Sequence, residues 1–192
     1  MLKKLYDWTI EKAMSPHAEK WLAGISFAES SFFPIPIDLM MIPMILAQPF
    51  KAFRLATITL VASVLGGIAG YLIGAFLFEA IGQPIIDFYG YGEKFTAFQG
   101  YYKDYGVLIV LVAGFTPLPF KVVTIASGVV GMNPLVFFLT SVPARGARFY
   151  LVAALLWKFG PPIREFIEKR LGLVLTAFMA LGIAGFAALK YL

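Results

Sequence analysis

Five ionisable side chains stand where such groups are costly. Glu29, Asp38, Lys121, Arg145 and Arg148 each lie inside an otherwise apolar stretch. Exposed to hydrocarbon, each would cost on the order of 2.5–3.5 kcal/mol on insertion scales, so each is expected to face inward and find a partner. Their types divide the chemistry. Lys121, Arg145 and Arg148 can hold an anion, and arginine suits two-point contact with phosphate. Arg145 and Arg148 are three residues apart and share one helix face. Glu29 and Asp38 are carboxylates that can take up a proton when desolvated. One reading is a basic set for a phosphate head group and an acidic set for proton coupling or gating. The other is a network of ion pairs that only holds the fold.

Paired prolines accompany these residues. Phe33-Pro34-Ile35-Pro36-Ile37-Asp38 recurs as Thr116-Pro117-Leu118-Pro119-Phe120-Lys121. Each Pro-x-Pro removes two backbone donors and breaks the helix. Lipid cannot satisfy the carbonyls so freed, and a break of this kind is tolerated only in protein or beside a watery cavity. Thr116 is expected as an N-cap with Pro117 at the first helical position, which puts Lys121 near the positive end of a half-helix. A helix N-terminus beside a cation is suited to phosphate.

The elements that must position these groups are apolar and long. The 192 residues are 60% hydrophobic and 14% charged, against about 45–50% and about 25% in soluble domains. The expected fold is an all-α integral membrane protein. Residues 2–20 read as an amphipathic helix on the membrane, with Tyr6 and Trp8 as interface anchors, or as a solvated N-terminal helix. Bilayer segments are expected at 21–47, 53–81, 105–131 and 134–158, within a membrane domain of residues 21–160. Residues 83–104 read as an aromatic interface segment. A hinge at Gly160-Pro161-Pro162 leads to a final apolar helix at 171–192. In the second segment Gly66, Gly70 and Gly74 are four apart and form a close-packing face.

The order of these features repeats. Residues 21–85 and 105–163 each hold a broken segment, a longer helix and a Gly/Pro hinge; Gly70-Tyr71-Leu72 aligns with Arg148-Phe149-Tyr150, and Gly82 with Gly160. An arm of about 13 residues reaches roughly 20 Å, more than half of a hydrocarbon core of about 30 Å. Each broken segment is expected to be a re-entrant hairpin, the two forming inverted repeats with tips facing at mid-membrane. A kinked spanning helix is the other reading. Lys3, Lys4, Lys12, Lys20, Lys158, Arg164, Lys169 and Arg170 weight the N-terminal side, so the N-terminus is expected in the cytoplasm.

The sequence contains no cysteine, so disulfides and thiolate chemistry are excluded. His17, the one histidine, sits beside Pro16. No metal cluster, nucleophile set or phosphate loop is present. Neither an enzyme, a cofactor, a metal nor nucleic-acid binding is expected. The expected partners are anionic or phosphate-headed membrane lipids and protons, and the chain is compatible with a homo-oligomer.

Glu29 with Phe33 to Asp38, the run Gly67 to Gly74, and Gly114-Phe115-Thr116-Pro117 through Lys121 to Ser127-Gly128 resemble the DedA family, also described as the SNARE-associated or VTT-domain family, in its shorter YqaA-like branch. The resemblance covers roughly residues 20–160. The chain departs from the common pattern at Gly114, where an arginine is usual, at Lys121 in place of arginine one position earlier, and at Asp38 in place of glutamate. The resemblance implies a multi-pass protein of the bacterial inner membrane with two facing re-entrant hairpins. It also implies flipping or scrambling of lipid phosphates such as a polyprenyl phosphate carrier, and a part in proton-dependent envelope maintenance.

Overall fold

The computed structural model describes residues 15–32, 36–78, 80, 83–90, 92–116 and 119–188, and beyond residue 162 the helical path alone. The amphipathic N-terminal helix expected at 2–20 thus falls mostly outside the described residues, as do Pro34 and Pro117. The described residues are helical, without strands. In chain order they form α1 (Ala18–Ser31), α2 (Asp38–Ala47), a 3-10 turn (Pro49–Lys51), α3 (Ala52–Leu77), α4 (Gln83–Tyr89), α5 (Gly92–Phe115), α6 (Phe120–Val129) and α7 (Pro134–Ala188).

Both expected breaks are present. The first separates α1 from α2, with the Phe32 amide still bonded to the Ala28 carbonyl as the helix ends. Asp38 opens α2, where a carboxylate favours the positive helix end. The second break separates α5 from α6. Pro119 is extended there (φ −64°, ψ 97°) and α6 starts on the next residue.

Two boundaries differ from expectation. α5 begins at Gly92, so the latter part of the interface segment and the first arm of the third apolar segment are one helix, while the first part of the interface segment forms the separate α4. Tyr102 is 4% exposed and its hydroxyl bonds Ser127 at 2.7 Å. Its aromatic ring marks packing between α5 and α6, not a water interface. α7 also continues through Gly160, Pro161 and Pro162 to Ala188. The prolines remove donors there but leave the helical path intact, so no hinge ends the helix.

α3 is the central strut. α1 runs beside it in the same direction: Glu19 pairs with Arg54 at 2.8 Å, Ser26 donates to the Thr59 carbonyl at 2.8 Å, and Ser30 meets Ser63 at 2.8 Å. α7 runs antiparallel to it. Tyr71 near the end of α3 donates to the Met132 carbonyl just before α7, Ser63 meets Arg145, and Phe53 near the start of α3 meets Trp157. Ala18, Leu22, Met44, Ile45, Ala52, Leu55 and Leu156 form one buried cluster at the starting end of α3. Tyr71, Val110, Val123 and Phe137 belong to a second cluster toward the other end.

Glycine permits the closest approaches. A Cβ at Gly66 would collide with the Phe27 carbonyl of α1, and one at Gly74 with the Ile125 carbonyl of α6. The small face expected from the spacing of Gly66, Gly70 and Gly74 thus receives α1 and α6 on one side of α3. Between apolar helices in lipid, such dispersion contact is a principal source of association.

Among the described residues two helical stretches are long and apolar enough to cross a bilayer, Pro49–Leu77 and Pro134–Gly160, with mean hydropathies of 2.1 and 1.2. Each is 44% buried over its most apolar window. The core helix of a water-soluble protein would be mostly buried, so these helices turn apolar faces outward. Val61, Leu65, Leu72 and Phe76 on α3, and Leu139, Leu151 and Leu155 on α7, are exposed.

Candidate functional site

The two breaks converge midway along α3 and along the Pro134–Gly160 stretch of α7, and four of the five predicted charges meet there. Arg145 is fully buried. Its Nη2 donates to Glu29 at 2.9 Å and to Ser30 at 3.3 Å, and its Nε donates to Ser63 at 2.7 Å. The guanidinium carbon lies 4.8 Å from the centroid of the Phe120 ring and 4.6 Å from that of Phe149. The cation is therefore neutralised by a carboxylate and flanked by two ring faces, an arrangement that offsets desolvation. Ser30 also donates to Glu29 at 3.0 Å, which fixes the carboxylate. Among the described residues, Arg145 Nη1 has no hydrogen-bond partner.

One helical turn further on, Arg148 reaches both breaks. Its Nη2 pairs with Asp38 at the first break, and its Nη1 donates at 3.1 Å to the Thr116 carbonyl at the second. The side chains of Arg148 and Asp38 are 11% and 10% exposed. One oxygen of Asp38 is left without a partner among the described residues. Thr124 of α6 donates to the Ser30 carbonyl of α1 at 3.1 Å, a further tie between the broken segments.

The site thus joins what the sequence divided. Instead of a basic half and an acidic half, each arginine of α7 takes a carboxylate from the first broken segment, Arg145 with Glu29 and Arg148 with Asp38. Two cations and two anions leave the cluster formally neutral, which is how buried charge is tolerated.

Thr116 has a different part from the one expected. Its hydroxyl donates back to the Val112 carbonyl at 2.7 Å, so it closes α5 and does not cap α6; Pro119 stands at the cap. The free Thr116 carbonyl is what Arg148 uses. Lys121 is the second residue of α6 and half-buried, near the positive helix end as expected. Pro36 and Pro119 flank the breaks, half-buried and exposed respectively.

Sequence reasoning missed Ser30, Ser63, Phe120 and Phe149 as the setting of Arg145. Ser30 and Ser63 carried a signal: small hydroxyls in apolar helices commonly bond across helix interfaces. The rings carried none, because phenylalanine is frequent throughout this chain.

The VTT domain family matches residues 35–158, which includes α2, α3, both arginines and the second break. An uncharacterized protein of Haemophilus influenzae is 41% identical over 168 residues, covering 85% of this chain and 87% of its own length. An uncharacterized homologue from Histophilus somni shows the same identity and coverage. No solved structure matches the chain. The chain belongs to the VTT-domain, or DedA, family of membrane proteins.

Proposed function

We propose that this protein moves a phosphate-headed lipid, such as a polyprenyl phosphate or a phospholipid, across the bacterial inner membrane in a proton-coupled manner. The observation that carries the reading is the neutral cluster of Glu29, Asp38, Arg145 and Arg148 at the junction of two proline breaks. Ionisable groups at mid-depth are costly and mark pathways for charged cargo.

The topology in this reading is a pair of re-entrant hairpins with inverted relation. In the first, α1 starts and α2 ends beside the start of α3, in the cluster containing Ala18, Leu22, Met44, Ile45 and Ala52. In the second, Tyr102 of α5 lies against Ser127 near the end of α6, and Gly106 lies against Met132. The first hairpin thus enters at the starting end of α3 and the second at its far end, as in transporters with discontinuous helices. The exposed or half-buried cations Lys20, Lys51, Arg54 and Lys158 gather at the starting end, whereas Glu93, Lys103 and Asp104 lie toward the other. Positive residues favour the cytoplasm, which puts the N-terminus inside.

The mechanism follows from charge balance. Arg148 is the cation of the cluster that a head group would claim, and Lys121 stands near the start of α6. A phosphate anion entering a neutral, desolvated cluster leaves an excess negative charge, which is costly. Protonation of Asp38 removes that excess and releases Arg148 in the same step. Glu29 with Arg145 holds the frame meanwhile. The competing reading is a membrane scaffold whose charges only lock the fold, and the enclosure of Arg145 favours that role for one of the two pairs.

Lipid translocation in proteoliposomes separates them. Lys121→Ala/Arg148→Ala, compared with wild type at equal amounts of folded, reconstituted protein, should lose most translocation of a phosphate-headed probe lipid. Wild-type translocation by the folded double variant would leave the scaffold reading.

A further inference from the structure

The starting end of the α3–α7 seam carries a second constellation that takes no part in the buried cluster. Phe53 of α3 stacks with Tyr150 of α7 at 6.4 Å between ring centroids and packs on Trp157 at 5.9 Å. All three rings are well exposed, at 45%, 37% and 56%. Beside them the Thr57 hydroxyl donates to the Phe53 carbonyl at 2.9 Å and meets the Tyr150 hydroxyl at 2.7 Å. With the Thr57 proton committed to the carbonyl, Tyr150 is the donor of that pair and its oxygen retains acceptor capacity. Arg54 is three residues from Thr57, on the same exposed face of the helix. Its side chain is 67% exposed, with one nitrogen bonded to Glu19 at 2.8 Å. Among the described residues its other donors have no partner.

The set brings a guanidinium, hydroxyls and aromatic rings together on one exposed seam. A guanidinium can take a phosphate diester. A phenolic oxygen about one helical turn further along α3 can accept from a head-group hydroxyl. The Phe53 and Trp157 rings at the level of the guanidinium suit the interfacial region of a phospholipid, as at membrane interfaces. Ser63, where the buried cluster begins, lies six residues further along α3, roughly 9 Å along the helix axis.

We propose that Phe53, Arg54, Thr57, Tyr150 and Trp157 form a lateral binding site for an anionic glycerophospholipid with a hydroxylated head group, of the phosphatidylglycerol class. Charge complementarity carries this choice of occupant, since exposed or half-buried Lys51 and Lys158 lie at the same end and add to the attraction. The site is independent of the transport reading: it would retain its lipid in a scaffold as well as in a transporter.

Trp157 reports on it directly. A full-length chain with Trp8→Phe and Trp21→Phe has Trp157 as its remaining tryptophan. It is reconstituted into vesicles in which either phosphatidylglycerol or phosphatidylcholine carries brominated acyl chains, and fluorescence quenching gives the relative affinity. Phosphatidylglycerol should be preferred by about fivefold, the value of one basic residue at an anionic surface. Arg54→Gln should bring the ratio near one, and Arg54→Lys should keep most of it. Inorganic phosphate in the buffer should not reduce the preference. Equal quenching by both lipids, or an unchanged preference in Arg54→Gln, would overturn the proposal. Loss of the preference on adding inorganic phosphate would assign Arg54 to a free anion instead.

Discussion

Arg145 and Arg148 are one turn apart on α7 and differ in how they are held. Arg145 is fully enclosed by Glu29, Ser30, Ser63 and two phenylalanine rings. Arg148 is slightly exposed and spans the two breaks through Asp38 and the Thr116 carbonyl. Removing one partner of an enclosed pair leaves a buried charge uncompensated, at about 3–5 kcal/mol. Arg145→Ala should therefore fold poorly, with a clearly lowered melting temperature in detergent. Glu29→Gln/Arg145→Met removes both charges and should recover much of the loss. A wild-type melting temperature for Arg145→Ala would refute the locking role. The identities of these residues were legible in the sequence, because a charge in an apolar stretch is conspicuous. Their pairing was not: Arg145 and Glu29 are 116 residues apart, and Arg148 and Asp38 are 110. Only tertiary packing brings them together.

At the scale of elements, α3 is defined by what its glycines allow. Gly74 admits the Ile125 backbone of α6, so any side chain there pushes α6 outward. Overpacking of this kind costs about 1–3 kcal/mol or more. Gly74→Val should lower the melting temperature and disturb the second break, whereas Gly24→Ala, with nothing within 4 Å of the added carbon, should be neutral or slightly stabilising. Equal melting temperatures for the two variants would contradict the packing described. The glycine face and both breaks were readable from spacing and from the rigidity of proline. The join of residues 92–115 into one helix was not, because its polar first half and apolar second half differ in composition while sharing one backbone path. The role of Thr116 was likewise hidden. A threonine before a proline can cap the next helix or close the previous one, and the sequence does not say which carbonyl its hydroxyl will find.

On the scale of the whole molecule, the account makes a claim about sides. The starting end of α3 gathers the start of α1, the end of α2 and residues 156–160 of α7, so the segment 18–47 should leave the bilayer on the face where it entered. This cysteine-free chain permits a direct check. Single cysteines at Ser15 and Gln48 should react with an impermeant thiol reagent from the same face, and one at Asn133 from the opposite face. Opposite labelling of Ser15 and Gln48 would establish a spanning segment and remove the inverted arrangement.

The central claim is that the Asp38–Arg148 pair opens to admit a phosphate as Asp38 takes a proton. It is tested most directly by lipid translocation in proteoliposomes across a range of pH, comparing wild type with Asp38→Asn. The wild-type rate should depend on pH, while Asp38→Asn, which carries no titratable group at that position, should be slow and lose most of that dependence. Translocation by Asp38→Asn at the wild-type rate throughout the range would contradict the account and make the carboxylate a structural partner of Arg148.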